Sequence, residues 1–112
     1  MALTFSKLFA PQQLPAAVGT IFTCPTPSTT VLKNGRVRLL NTAVGVMSVT
    51  LYAVPSGGSA TASNCFLSGM AISAGSFLDT NIPTMASGDT LQGFATVATS
   101  VTISEMGGVL NS

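Results

Sequence analysis

Histidine and tryptophan are absent, and ionised side chains are scarce: the 112 residues carry four Lys or Arg against three Asp or Glu, a net charge of +1. Without imidazole there is no Ser-His-Asp or Cys-His relay, no His zinc ligand and no imidazole pH switch. Most hydrolase and metalloenzyme chemistries are excluded on that ground, and no cofactor or metal is expected. Lys7, Lys33, Arg36 and Arg38 are the only basic residues, too few for the electrostatic footprint of a general nucleic-acid binder. Long hydrophobic runs are missing as well. Mean hydropathy is +0.58 and the stretch from Leu39 to Leu78 has no charge. Ser, Thr, Gly and Pro nevertheless interrupt it, and no run approaches the ~18 apolar residues of a membrane helix. No membrane partner is expected. Near the start, Pro11, Gln12, Gln13 and Pro15 cut the apolar residues apart, so no signal peptide is read. Cysteine is limited to Cys24 and Cys65, whose spacing matches no metal motif. A disulfide between them is open arithmetically, but free thiols behaving as small apolar residues are the expected state.

What is present in quantity is the hydroxyl group: 13 Ser and 15 Thr. Charged residues make up 6% of the chain, where about 25% is usual in soluble domains, so the hydroxyls must wet much of the exterior. The length suits one domain. Area scaling for 11.3 kDa gives a folded surface of roughly 5,700 Å², with about 65% of the unfolded surface buried, which leaves room for a real core.

Period-two patterning dominates. From Val46 to Val54, Met47, Val49, Leu51 and Ala53 alternate with Ser48, Thr50 and Tyr52, the mark of a half-buried strand. Leu91, Gly93 and Ala95 alternate with Gln92 and Phe94; Val101, Ile103 and Glu105 alternate with Thr102 and Ser104. The connection through Ala98, Thr99 and Ser100 is short enough for a hairpin. Further strands are predicted at Thr20 to Cys24, Val37 to Asn41, Phe66 to Ile72 with a break at Gly69, and Phe77 to Ile82. Turn signals separate them at Cys24-Pro25-Thr26-Pro27, Pro55-Ser56-Gly57-Gly58, Ala74-Gly75-Ser76 and Ser87-Gly88-Asp89. Asn34-Gly35 fits either a type I′ hairpin or a bulge inside one long bent strand, and the short flanks favour the bulge. The fold class is therefore all-β: an antiparallel sandwich or jelly roll of seven or eight strands over residues 18–112. An irregular arm spans residues 1–17, with Phe5, Leu8, Phe9 and Leu14 among its apolar residues. The arm either docks on its own sandwich or reaches a neighbour; deleting residues 2–16 is expected to leave the sandwich folded.

Candidates for chemistry are few. Asp79 and Asp89 are two carboxylates of the kind that serve as a glycosidase acid and base, but Gly88-Asp89-Thr90 is a turn context that accounts for Asp89 without catalysis. No Asp-rich loop suggests calcium. Ser56 and Ser59 flank Gly57-Gly58 without resembling a nucleophile elbow or a phosphate loop. Arg36 and Arg38 share a strand face, with Lys33 nearby in the bulge reading, and suit either solvent or an acidic partner. Sugar-binding modules stack their ligands on aromatics, and Tyr52 is the single tyrosine. By elimination the working chemistry is contact between surfaces: a chain this poor in ions hides its exterior in an oligomer or a larger assembly.

The order of short motifs then matters. It runs from Gly19-Thr20-Ile21-Phe22-Thr23-Cys24-Pro25 through Ser28-Thr29-Thr30-Val31-Leu32-Lys33 to Val37-Arg38-Leu39-Leu40-Asn41-Thr42. It continues with Val49-Thr50-Leu51-Tyr52-Ala53-Val54-Pro55-Ser56-Gly57-Gly58, Ala74-Gly75-Ser76, Ser87-Gly88-Asp89-Thr90-Leu91 and Val101-Thr102-Ile103-Ser104. Over residues 18 to 106 this resembles the small β-sandwich virion proteins of tailed bacteriophages, of the head decoration, cement or head-fibre type, with the Asn34-Gly35 segment one residue longer than the family pattern. The resemblance implies a non-enzymatic virion structural protein that decorates and stabilises the head shell after assembly in the bacterial cytoplasm. Its implied partners are copies of itself, a trimer above all, and the major capsid protein. The neck, tail, baseplate or fibre is the alternative location, and a carbohydrate-binding attachment module is the alternative class. The expected interface residues are Phe5, Leu8, Phe9, Lys33, Arg36 and Arg38.

Overall fold

A computed structural model of the chain describes residues 3–4, 8–25 and 31–111. Phe5, Lys7 and the motif at residues 26–30 lie outside them. The strands are β1 (Leu3–Thr4), β2 (Gln12–Gln13), β3 (Gly19–Thr23), β4 (Val31–Asn41), β5 (Met47–Val54), β6 (Cys65–Ile72), β7 (Phe77–Asn81), β8 (Met85–Ala86), β9 (Thr90–Ala95) and β10 (Val101–Asn111). A 3₁₀ turn, Ala62–Asn64, precedes β6.

The strands form two antiparallel sheets. One has the order β1-β10-β4-β7, with β2 also on β10 and β8 also on β4; the other has the order β3-β9-β5-β6. Both β1 and β2 run along the same edge of β10, pairing with residues near its end and near its start. They count as two parts of one edge strand along β10, and Pro11, just before β2, has no N–H to give to a ladder. β7 and β8 are likewise two halves along β4, separated by Pro83. Counting each pair once leaves eight strands among the described residues, in the order first-eighth-third-sixth in one sheet and second-seventh-fourth-fifth in the other. That order is a jelly roll.

The first strand thus comes from the segment read as an irregular arm, whose described residues dock on their own sandwich. Leu14 is 1% exposed in the core, and Leu8 and Phe9 pack half-buried against it. Backbone bonds tie the segment on both sides: the Leu14 N–H donates to Val101 O (2.8 Å) and the Ala95 N–H donates to Pro15 O (2.9 Å). The Ala98-Thr99-Ser100 connection is not a hairpin, because β9 and β10 belong to different sheets and the chain crosses the sandwich there. Its shortness fits either path; the twist and packing that select the crossing are non-local.

Asn34-Gly35 forms the bulge. Asn34 adopts φ 58°, the left-handed region open to Asn, and β4 takes three steps from Arg36 to Lys33 where β10 takes two from Gly107 to Val109. The extra residue resets the pleat. Lys33 and Arg36, three apart, would otherwise face opposite sides; both are exposed, while Leu32, Gly35 and Val37 between and beside them are buried. Gly69 breaks β6 in the same way, at φ 56° beside a register shift against β5.

Inward residues of both sheets meet in one core that includes Leu32, Val37, Leu39, Val49, Leu51 and Ile103, each fully buried. Gly93 in β9 is there for space. A Cβ added to it would lie 2.6 Å from Leu51 Cδ2 and 2.7 Å from the Thr50 carbonyl oxygen. The leucine can move; the backbone oxygen belongs to the β5–β9 ladder and cannot move cheaply. Gly93→Ala is expected to lower stability by about 3 kcal/mol, the upper end of overpacking costs, read as a fall in the urea midpoint at constant slope.

Candidate functional site

The outer face of the six-stranded sheet gathers most of the charges. β4 is its axis, and the pairing with β7 sets Leu40 beside Phe77, Arg38 beside Asp79 and Arg36 beside Asn81. On the other flank β10 sets Thr102, Ser104 and Gly107 against the same three residues. Three cross-strand rows result, one apolar, one ionic and one of Arg36 with an amide. In the middle row the Arg38 guanidinium grips Asp79 at both carboxylate oxygens, Nε to Oδ1 at 2.8 Å and a terminal nitrogen to Oδ2 at 3.0 Å. The same guanidinium lies 4.1 Å from the centre of the Phe77 ring. Arg38 is thereby fixed in direction by a fork and an aromatic face together. Phe77 stays 55% exposed and its cross-strand neighbour Leu40 is exposed beside it.

The Arg38 hydrogen bonds hold the Asp79 carboxyl below its ordinary range, against a smaller opposing effect of desolvation, with Arg36 adding a weak pull in the same direction. Asp79 in turn raises Arg38. For a carboxylate whose folded value is depressed, the stabilising contribution is complete above the unfolded value of ~3.9 and fades as pH falls through the folded value. Asp79→Asn is therefore expected to cost stability at neutral pH and nothing in strong acid, where both chains are uncharged at residue 79. Urea unfolding of the two chains across the acid range checks this. Because the pair faces solvent, added salt should shrink the difference.

Asp79 and Asp89 do not form an acid–base pair. Asp79 is held by Arg38 on the sheet face, whereas Asp89 is the staple of a turn: its Oδ2 accepts from the Ala86 N–H (2.9 Å) and its Oδ1 from the Ser56 N–H (3.0 Å). Gly88 at φ 85° sits inside that turn. Asp89 joins the two loops at one end of the sandwich, as its turn context implies.

Of the expected interface residues, Arg36 and Arg38 share the outer face and Lys33 lies exposed beyond the bulge on the same strand. Leu8 and Phe9 stand elsewhere: Phe9 is 6.0 Å from Phe22 between ring centres, and both residues cover the core of their own chain. Two features escaped the sequence. Phe77 joins the arginines only through the β4–β7 register, which no local pattern reveals. At one end of the sandwich, Val44, Val46 and Val97 stand 102%, 64% and 51% exposed on loops that carry no charge. The thiols are both free, Cys24 buried and Cys65 half-buried. Burial pushes the Cys24 thiol up, partly offset by a backbone hydrogen bond from Leu32.

No family model matches the chain, and no curated protein matches it. Among solved structures it is similar to a chain of Bacillus endospore appendages, described as a novel family of disulfide-linked pili. The identity is 17%, over 96% of this chain and 85% of that one, with a TM-score of 0.56. It is also similar to a chain of infectious bursal disease virus, Gx strain, at 14% identity, 97% of this chain and a TM-score of 0.50. This chain spans 32% of that viral chain's length. At such identities the likeness is one of fold, and the fold shared is the β-sandwich.

Proposed function

We propose that this protein is a non-enzymatic structural protein of a bacteriophage virion that decorates the head, binding the shell and stabilising it. The observation that carries the reading is a chain with seven charged side chains in 112 residues on which Phe77, Val44 and Val46 are more than half exposed. A solitary soluble domain seldom leaves side chains of that kind uncovered with so few ions around them. The likeness in fold to a pilus chain and a virus chain supports the assembly role, and the motif order supports the phage.

The outer face of β4, β7 and β10 is the surface assigned to the shell. Arg36 and Lys33 would meet acidic groups, while Phe77 and Leu40 would bury against an apolar neighbour, with Arg38 already oriented by Asp79. Binding by many copies at a local concentration of 100 times Kd would add about 2.7 kcal/mol to the stability of the bound state. The test is to incubate purified protein with undecorated heads and image them. Occupancy at defined lattice positions, with greater resistance of the shell to heat and loss of binding in Phe77→Ala, is the expected result. Binding to tails in place of heads would move the site on the virion, and binding to neither would end the proposal. Sedimentation velocity of the unbound protein reports whether the copies form the expected trimer.

A further inference from the structure

We propose that the outer face of the four-stranded sheet carries a binding site for neutral glycans, in which a pyranose ring stacks on Tyr52 and Phe94. A groove of about 450 Å³ opens there, lined by Thr50, Tyr52, Ala62, Cys65, Ser68 and Phe94. The size falls in the ~300–1,000 Å³ range of small-molecule sites. β5 and β9 build its floor: Thr50 pairs with Phe94 and Tyr52 with Gln92, so the two aromatics are diagonal neighbours on one face. Their rings are 6.5 Å apart between centres and within 27° of parallel. Both are half-buried, so each offers part of its ring to a ligand.

The polar groups fit a sugar and little else. Thr50 Oγ1 accepts from the Gly69 N–H (3.1 Å), which leaves its own proton to give. The hydroxyls of Tyr52 and Ser68 make no hydrogen bond to another described residue. Three hydroxyls with spare capacity therefore surround an aromatic floor, and no charged side chain lines the groove. A phosphate or carboxylate ligand would lose its water without gaining a counter-charge. A neutral ring with hydroxyls at its rim and C–H bonds on its face loses nothing of that kind. Gly69 has a structural part: at φ 56° it makes the bulge beside Ser68 and shapes the groove's edge.

The site lies on the sheet opposite the surface assigned to the shell, so the two readings stand or fall separately. The chain also contains its own reporter. With one tyrosine and no tryptophan, ultraviolet emission comes from Tyr52, inside the groove. Maltohexaose, cellohexaose and chitotetraose are titrated into the intact protein up to about 20 mM, a range that captures Kd values near 1 mM. A saturable change in tyrosine emission with at least one of them is expected. Affinity should fall tenfold or more in Phe94→Ala, which keeps the reporter, and iodoacetamide labelling of half-buried Cys65 should abolish the response. Circular dichroism confirms folding; should Phe94→Ala fail to fold, Thr50→Val, which removes a donor at nearly constant volume, serves in its place with the same expected loss. The proposal is overturned if none of the three sugars gives a saturable change, or if the folded variant binds as the parent does.

Discussion

Deletion of residues 2–16 is expected to unfold the protein rather than to trim an appendage. The segment supplies both parts of the edge strand along β10, Leu3 and Thr4 on Asn111 and Leu110, and Gln12 and Gln13 on Ile103 and Thr102. It also supplies Leu14 to the core at 1% exposure, and Leu8 and Phe9 as a cover over it. Leu14 is anchored from two directions, its N–H donating to Val101 O and its carbonyl accepting from Thr99 N–H at 3.3 Å. Leu14→Ala alone is expected to cost about 3 kcal/mol, within the ~2–5 kcal/mol range of fully buried leucines. The deletion adds the lost ladder bonds and uncovers β10 along its edge. Against a whole-domain stability of ~5–15 kcal/mol, that total removes most or all of the folded population at 25 °C. Far-ultraviolet dichroism and urea titration of the truncated chain check it. A truncated chain that melts with the parent's midpoint would show that the first strand contributes nothing to the sandwich.

This result bears on how a sequence of this type is read. Period two located β5, β9 and the first half of β10, because alternate residues along each are buried; β3 lacks it, with Ile21 and Phe22 buried side by side at a register shift against β9. It failed for the first strand, where Pro11 and Pro15 disguise an edge strand as a tail; an edge position is where a sheet tolerates proline, since one side of the strand needs no donors. It failed also at the end of β5, where Val54 is buried out of step with Val49 and Leu51. Asn34-Gly35 was legible as a bulge, and the extra residue it inserts is what brings Lys33 onto the side of Arg36. The partners of the arginines were not legible. Phe77 and Asp79 sit about forty residues away in sequence and arrive through pairing of β4 with β7, as Phe94 arrives beside Tyr52 through β5 and β9. Aromatic pairs built by register leave no local trace, so the count of aromatics understated what either face presents.

Asn41 is a second position whose role only the fold reveals, and Asn41→Asp is expected to be the most damaging conservative change in the chain. It ends β4 at 0% exposure. Its side-chain amide donates to Gly45 O (2.8 Å) and Ile72 O (2.9 Å), and its side-chain oxygen accepts from the Ala43 N–H (2.9 Å). Its backbone joins the loop before β7, accepting from Gly75 N–H and donating to Ser76 O. One residue therefore fixes two loops, β4–β5 and β6–β7, at the end of the sandwich that displays Val44 and Val46. An aspartate keeps the shape and the acceptor but points a negative charge at two carbonyl oxygens that have lost their donors. A buried, uncompensated charge costs about 3–5 kcal/mol, and orphaned acceptors add to it, so a loss of about 4 kcal/mol or more is expected at neutral pH. Burial raises the folded pKa of such a carboxyl above the unfolded value of ~3.9. The charge penalty is then absent below the unfolded value and grows as pH rises through the folded one. The gap between parent and variant should narrow toward pH ~4, where a protonated carboxyl can again donate to one of the two carbonyls. Asn41→Ala provides the contrast, with a large loss that does not vary with pH. Urea midpoints for the three chains at acid and neutral pH separate the cases, and equal gaps for Asn41→Asp at both would mean that the carboxylate escapes to water and the loops do not depend on this residue as the geometry requires.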